Sequence, residues 1–193
     1  MANANKSKGD QAERDAVDAL VALAGDLVDV HKAERLLGAG RKEDESDLKV
    51  FRDVAIQVRF YPNAGTNVAV RTAAADAMVQ AANAHKPLGL GLVKFPNARA
   101  GSLRWLACTR DETQWPTGAV PIEPYEFTMA SKLFDWLRTD IPPYGFLAHP
   151  REHRFARLVG RGADPVLIAP LEAWVASYRQ HRAQTAGTIG EAA

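Results

Sequence analysis

Two short apolar segments that stand close together place the strongest limit on the fold of this chain. The segments "DLKVF" (47–51) and "VAIQVRFY" (54–61) are rich in β-branched and aromatic residues, and "RD" alone separates them. Short segments of this kind, bounded by polar residues, predict an antiparallel pair of β-strands. We expect this pair to lie at the centre of a β-sheet.

The second strand of the pair carries polar residues on one of its faces. Because successive side chains of a strand point to opposite sides of the sheet, Gln57 and Arg59 share a face with Asp53. This polar face either meets solvent, as in a half-covered antiparallel sheet, or lines a functional pocket. For Asp53, which stands in the turn, we expect exposure to solvent.

Helices and further strands are predicted on both sides of this pair. Apolar residues recur at intervals of three and four from about residue 10 to 24 and again from about 72 to 84, which predicts two helices. The predicted later elements are strands at "LGLGLVKF", "LRWLACT" and "DPVLIA" and a closing helix at "PLEAWVASYRQHRAQ". The order helix, strands, helix, strands, helix predicts an α/β fold in which helices pack on a mixed β-sheet.

The 193 residues predict a single domain with one insertion. We assign the core to about residues 9–110 and 164–183, and flexible tails to residues 1–8 and 184–193. The segment 111–163 is rich in proline and aromatic residues and is predicted to be an α-rich insertion. Its two predicted helices are "PYEFTMASKLFDWLRTD" and "PREHRFARLVG".

Composition excludes several classes of protein. Apolar residues make up 47% of the chain and charged residues 24%, which is typical of a globular protein and not of a disordered one. The single cysteine, Cys108, excludes an internal disulfide framework and, like the four tryptophans, is expected in the core. The absence of a long apolar run predicts a cytoplasmic protein without a membrane span. A net charge of +1 does not by itself require a nucleic-acid partner.

Two carboxylates and the polar pair of the second strand are the candidate site residues. Glu13 lies at the edge of the apolar stripe of the first helix, although its spacing from Asp10 also fits a capping box, in which it would bond to its own helix start. Asp47 opens the first strand, and Gln57 and Arg59 follow on the second. Oxygen ligands that converge on Mg²⁺, with a cation beside them, would suit the cleavage of a phosphodiester.

In order and spacing, four segments resemble the Holliday-junction-resolvase-like branch of the PD-(D/E)XK nucleases, in particular the small versions encoded by actinobacterial phages. The segments are "KGDQAERDAVDAL", "ERLLGAGRKEDESDL", "VAIQVRF" and "AMVQAANAHKPLGLGLVKF". The resemblance covers about residues 8–110 and, more loosely, 164–180. It implies a restriction-endonuclease-like mixed β-sheet flanked by helices.

The resemblance also implies roles for the candidate residues. Glu13, Asp47 and Gln57 would bind Mg²⁺ or Mn²⁺, and Arg59 would stand where the family has a catalytic lysine. Gln57 retains a ligand oxygen but removes a negative charge. Arg59 stays protonated and therefore cannot act as a general base, whereas a lysine in a pocket can lose its proton. Gln80 on the following helix is a weaker match to a polar residue of the pocket.

Several basic residues are candidates for contact with DNA phosphates. Lys8, Arg41 and Lys42 flank the predicted pocket. In the insertion, Arg151, Arg154 and Arg157 are spaced at three and would align along one face of the second predicted helix. A solvated charged surface is the alternative interpretation of both groups.

Two functions are therefore expected from the sequence. The first is a metal-dependent endonuclease that hydrolyses branched DNA such as Holliday junctions in DNA recombination and that acts as a homodimer, as the resemblance implies. The alternative is a catalytically inactive protein of the same fold that binds DNA or a host protein.

Overall fold

The computed structural model describes most of the chain. The described residues are 4–36, 45–60, 65–94, 104–110, 112–117, 123–138, 154–160 and 162–191. Among them no helix combines the length and the apolar character that crossing a membrane requires.

The described residues form four α-helices, eight β-strands and two short 3₁₀ helices. The α-helices are α1 (Ala4–Ala24), α2 (Thr66–Asn83), α3 (Ala130–Arg138) and α4 (Leu171–Glu191). The strands are β1 (Glu34–Arg35), β2 (Leu48–Lys49), β3 (Val54–Arg59), β4 (Leu88–Lys94), β5 (Trp105–Thr109), β6 (Tyr125–Phe127), β7 (Ala156–Gly160) and β8 (Ala163–Pro170). The 3₁₀ helices are Gly25–Leu27 and Glu112–Gln114.

All eight strands belong to one mixed sheet, in the order β1-β2-β3-β4-β5-β8-β7-β6. The predicted antiparallel pair is confirmed, since β2 pairs antiparallel with β3 and Leu48 lies opposite Ile56. After α2 the chain returns as β4, which pairs parallel with β3. The predicted α/β fold with a mixed sheet and flanking helices is confirmed. The central position of the β2–β3 pair was wrong, because three strands are added beyond β5 and leave β4 and β5 in the middle.

The segment 111–163 adds strands to the same sheet. The predicted helix at "PREHRFARLVG" is wrong, because residues 156–160 form β7, which pairs with β8 antiparallel and with β6 parallel. Ala156 and Leu158 are buried whereas Arg157 is only partly buried, so the pattern has the period of two that a strand requires. The first predicted helix divides into β6 and α3. The described residues of this segment therefore combine the helix α3 with two strands, β6 and β7, of the main sheet.

The sheet has helices on both faces. On one face, apolar residues of α1 and α4 form a core with Val54, Ile56 and Val58 of β3. On the other face, α2 and α3 pack on β4, β5, β7 and β8. The predicted burial of Cys108 and of the four tryptophans is confirmed; the tryptophans are Trp105, Trp115, Trp136 and Trp174. Both faces of β3 are thus covered, and Gln57 does not meet solvent.

The backbone of α2 lies unusually close to β4. A methyl group at Gly91 would lie 2.7 Å from the carbonyl carbon of Ala73 and 2.8 Å from its oxygen, and one at Gly89 would lie 2.6 Å from the oxygen of Ala77. Real Cβ atoms do not approach backbone atoms this closely. Glycine at positions 89 and 91 of β4 is therefore required for this close contact with the backbone of α2.

The closing helix α4 is tied to the start of β3 by a polar cluster. The hydroxyl of Tyr178 donates to Asp53 at 2.6 Å, and Arg182 donates to Asp29 at 2.7 Å. The expectation that Asp53 is simply exposed was wrong, because Tyr178 reaches it from α4. Burial by itself would raise the pKa of Asp29, but hydrogen bonds from Arg182 and from the Arg52 amide hold it below its ordinary value.

The close approach of α2 to β4 predicts that Gly91→Ala destabilises the protein. The new methyl group meets backbone atoms, which cannot rotate away, so the free energy of unfolding should fall by about 1–3 kcal/mol or more. Gly9→Ala is the control, because a methyl group at Gly9 in α1 has no atom within 4 Å and should stabilise the helix by about 0.5–1 kcal/mol. Urea unfolding measures both changes, and an unfolding free energy unchanged in Gly91→Ala would contradict the close contact.

The tie of α4 to Asp29 predicts a pH-dependent contribution to stability. Because the pKa of Asp29 is lower in the folded than in the unfolded state, the unfolded chain binds more protons at acid pH. The contribution is complete above an unfolded pKa of about 3.9 and is lost as the pH falls through the lower folded pKa. Asp29→Asn should therefore be less stable than wild type at pH 7, and the difference should shrink towards pH 3. The exposed Asp18 supplies the control Asp18→Asn, for which little difference is expected at either pH.

Candidate functional site

Three predicted site residues form a hydrogen-bonded series across β2, β3 and α2, here called the amide chain: Asp47, Gln57 and Gln80. The Asp47 carboxylate accepts hydrogen bonds from the Val58 amide at 2.8 Å and from Nε2 of Gln57. The Oε1 atom of Gln57 in turn accepts from Nε2 of Gln80. The chain of bonds therefore runs in one direction, from Gln80 to Asp47.

The amide chain is buried because α2 covers the polar face of β3. Gln57 and Gln80 are each 1% exposed. Gln57 lies opposite Gly91 in the parallel β3–β4 pair, and the missing side chain at that position lets α2 approach. A polar group at such depth requires a hydrogen-bond partner inside the protein, and each glutamine supplies one to the other.

Arg59 is also paired with a residue of α2. Its guanidinium donates to Asp76 at 2.6 Å, and about a third of each side chain is exposed. Asp76 stands four residues, about one helical turn, before Gln80. One face of α2 thus provides the partners of both Gln57 and Arg59.

Glu13 is paired with Arg35, a residue of β1. Because α1 begins at Ala4, Asp10 and Glu13 lie inside the helix, and the capping-box alternative is wrong. The Arg35 guanidinium donates to Glu13 through Nε and to Asp10 through Nη2. Burial alone would lower the pKa of Arg35, but these two carboxylates raise it above its ordinary value, so the positive charge is retained.

The predicted site residues are only partly brought together. Asp47 and Gln57 touch, and Arg59 follows on the same face of β3. Glu13 belongs to α1, which packs on the opposite face of β3, the face of Val54 and Ile56. The Glu13–Arg35 pair nevertheless lies one strand away from Asp47, because the amide of Leu36 donates to the Asp47 carbonyl at 2.7 Å.

The hydrogen bonds of these residues do not fit Mg²⁺ or Mn²⁺, which take oxygen ligands. The carboxylate of Glu13 faces a guanidinium, and one oxygen of Asp47 accepts from two N–H donors. Gln57 turns its nitrogen, not its oxygen, towards Asp47. Among the residues that the structure describes, no group of three His, Cys, Asp or Glu side chains is placed to hold a metal.

The predicted DNA contacts have different outcomes. Lys8 is exposed on α1. Arg154 is 6% exposed and donates to backbone carbonyls of α3, and Arg157 pairs with two glutamates, Glu112 and Glu126. The helical arginine stripe was wrong because this segment forms β7. Arg41, Lys42 and Arg151 lie outside the described residues.

Arg35 and Asp76 were not among the candidates from sequence. Charge balance is the feature of the sequence that could have identified them. Asp10 and Glu13, spaced at three, share one side of α1 and require a nearby cation. Arg59 lies on a covered face and requires an anion. The sequence contains both partners, but pairing them requires the β1–β2 register and the position of α2.

A cavity of about 590 Å³ opens between α1, the end of β4 and the start of α4. Lys94 lies inside it, bound to Asp15 and 5.9 Å from the centre of the Trp105 ring. Burial would raise the pKa of Asp15, but the hydrogen bond from Lys94 holds it below its ordinary value. The cavity contains charges of both signs and therefore does not favour one class of ligand.

The amide chain predicts different effects for two substitutions of Asp47. Asp47→Ala removes the acceptor of Gln57 and of the Val58 amide, and leaving these donors unsatisfied should cost about 1–3 kcal/mol of unfolding free energy. Asp47→Asn keeps an acceptor oxygen and should cost clearly less. Thermal unfolding of the two variants tests this difference, and equal losses would contradict the role of the acceptor. Asp47→Asn is consequently the better variant for functional experiments.

No protein-family model matches this chain, and the searches of curated proteins and of solved structures likewise returned no match.

Proposed function

We propose that this chain is a nuclease-fold protein that binds branched DNA without hydrolysing it. Resemblance to the Holliday-junction-resolvase-like nucleases supplies the fold relationship and the DNA ligand. The observation that supports the loss of cleavage is the internal pairing of the candidate site, in which Arg35 binds Glu13 and Gln57 donates to Asp47.

Electrostatics supports this proposal. Metal-assisted hydrolysis of a phosphodiester needs ligands that hold the ion and stabilise the developing negative charge. At this site a guanidinium from Arg35 and an amide N–H₂ from Gln57 stand against the two matched carboxylates. A cation entering the site would have to displace both groups. Because position 57 carries a neutral amide and not a carboxylate, the electrostatic attraction of the site for the cation is also weaker.

Arg59 supports the same conclusion. A guanidinium does not release its proton at neutral pH, so Arg59 cannot prepare a water molecule for attack. Its pairing with Asp76 also partly neutralises the charge that it could direct at a phosphate.

A metal-dependent endonuclease is the second candidate. The observation that favours it is the contact between Asp47 and Gln57 on adjacent strands, with Arg59 two residues further along β3, as the resemblance implies. In this candidate Mg²⁺ or Mn²⁺ replaces the internal partners when DNA binds. For both candidates a cytoplasmic location and a homodimer remain predictions.

The two candidate functions predict different results in one experiment. Wild-type protein is incubated with a labelled four-way junction or a linear duplex of equal length, with EDTA, Mg²⁺ or Mn²⁺, and binding and cleavage are read from separate gels. We expect preferential retention of the junction in EDTA and intact DNA in either metal. Asp47→Asn should bind equally well, because the proposed binding does not use a metal.

Lys8→Glu tests whether the exposed start of α1 contacts the DNA. Loss of one phosphate contact should weaken binding and reduce the slope of log K against log salt by about 1. Lys132→Glu makes the same charge change at an exposed position of α3 and should have little effect on DNA binding.

Metal-dependent cleavage by wild type that is lost in Asp47→Asn would establish the endonuclease instead. Equal, weak retention of both DNAs would argue against a junction-binding protein.

A further inference from the structure

The cavity between α1, the end of β4 and the start of α4 is lined by one ion pair and three further charges. Lys94 and Asp15 form the ion pair. The other three charged residues are Asp18 of α1, Arg104 immediately before β5, and Glu172 of α4. Among the residues that the structure describes, no ion pair includes any of these three. The mixed charges of the whole cavity do not select a ligand, but these three charges are available to one.

The Glu172 carboxylate is incompletely satisfied. Its Oε2 atom is buried and has no hydrogen-bond partner among the described residues. A buried acceptor without a partner is unfavourable, more so when it carries charge. Glu172 is the second residue of α4, where the helix dipole favours a carboxylate but supplies Oε2 with no hydrogen bond. Because the negative charge is shared between both carboxylate oxygens, a cation in the cavity would stabilise it.

Arg104 supplies the opposite charge. It is exposed, and its guanidinium keeps its proton and can bind a carboxylate through two parallel N–H groups. A simple anion at Arg104 would be repelled by Asp18 and Glu172. A simple cation beside these two carboxylates would be repelled by Arg104. A ligand that carries both charges, separated along its length, avoids both repulsions.

The remaining lining of the cavity is mainly apolar. It consists of Ala19, Ala22 and Leu23 of α1, Trp105 of β5 and Leu171 of α4. Ala19 and Leu23 are four residues apart and therefore lie on one side of α1. These side chains suit an aliphatic segment. The volume of about 590 Å³ lies within the range of about 300–1,000 Å³ that is usual for small-molecule sites.

We propose that this cavity binds a small linear zwitterion, an amine and a carboxylate joined by a short aliphatic chain. The ammonium group lies beside Glu172 and Asp18, and the carboxylate is bound by Arg104. The methylene groups between them pack against the apolar lining. This inference goes beyond the proposed function and does not depend on whether the chain binds DNA.

The test compares ligands of similar shape that carry different charges. Wild-type protein at pH 7 is titrated with 4-aminobutanoate, 6-aminohexanoate, hexylamine and hexanoate, and the indole N–H signal of Trp105 is followed by NMR. This signal is identified by its loss in Trp105→Phe. We expect a saturable shift with at least one of the two amino acids and a dissociation constant about tenfold lower than that of hexylamine or hexanoate, because two charged contacts replace one.

Two substitutions separate the roles of the two ends. Glu172→Gln keeps the shape of the side chain and should remove the preference for the amino acid over hexanoate. Arg104→Gln should remove its preference over hexylamine. Each should weaken binding of the amino acid about tenfold. Glu123→Gln and Arg52→Gln make the same charge changes at exposed positions that do not line the cavity, and they should leave binding unchanged.

Three results would overturn the proposal. The first is the absence of a saturable shift with either amino acid. The second is binding of hexylamine or hexanoate by wild type as tightly as the amino acids, since one charge would then suffice. The third is full retention of amino-acid binding in folded Glu172→Gln and Arg104→Gln. The first two results need only wild type, so the test does not depend on the folding of the variants.

Discussion

The close contact between α2 and β4 is the constraint on which the candidate site depends. Gly89 and Gly91 present no side chains to α2, and the helix backbone descends to the level that a Cβ atom would occupy. At that depth Gln80 reaches Gln57 and Asp76 reaches Arg59. With larger residues on β4 the helix would stand further out, and the polar face of β3 would need water or a ligand as its partner. The geometry of packing therefore decides the chemistry of the site.

Several cations of the described structure are paired with carboxylates. Arg35, Arg59, Arg157 and Arg182 each face a carboxylate, and Lys94 faces Asp15. Partly exposed pairs of this kind contribute little to stability individually, about 0–1 kcal/mol. Their larger effect is on recognition, because a paired cation attracts a phosphate less strongly than a solitary one. The proposed binding of branched DNA would consequently depend on shape and on exposed cations such as Lys8.

The segment 111–163 shows how local spacing can mislead. Its arginines recur at three residues, which suggested a helical face, but burial along the segment alternates at two, with Ala156 and Leu158 buried and Arg157 and Val159 only partly buried. The sheet offers β7 a hydrogen-bonded neighbour on each side, β6 and β8, and burial of Ala156 and Leu158 against α3 favours the strand. Arg154 is buried and donates to backbone carbonyls at the end of α3, so a residue that was expected to contact DNA lies inside the protein.

The sequence by itself determined the α/β class, the helices α1, α2 and α4, the β2–β3 pairing and the burial of the tryptophans. These follow from the local spacing of apolar residues, which selects a helix or a strand within a few residues. The resemblance to the resolvase-like nucleases also implied that Asp47, Gln57 and Gln80 belong to one polar region. Only the tertiary structure decided that Arg35 pairs with Glu13, that Asp76 pairs with Arg59 and that the Gln57 nitrogen faces Asp47. Those pairings join residues 10 to 22 positions apart on different elements, and the direction of a hydrogen bond depends on which neighbour the packing brings within reach.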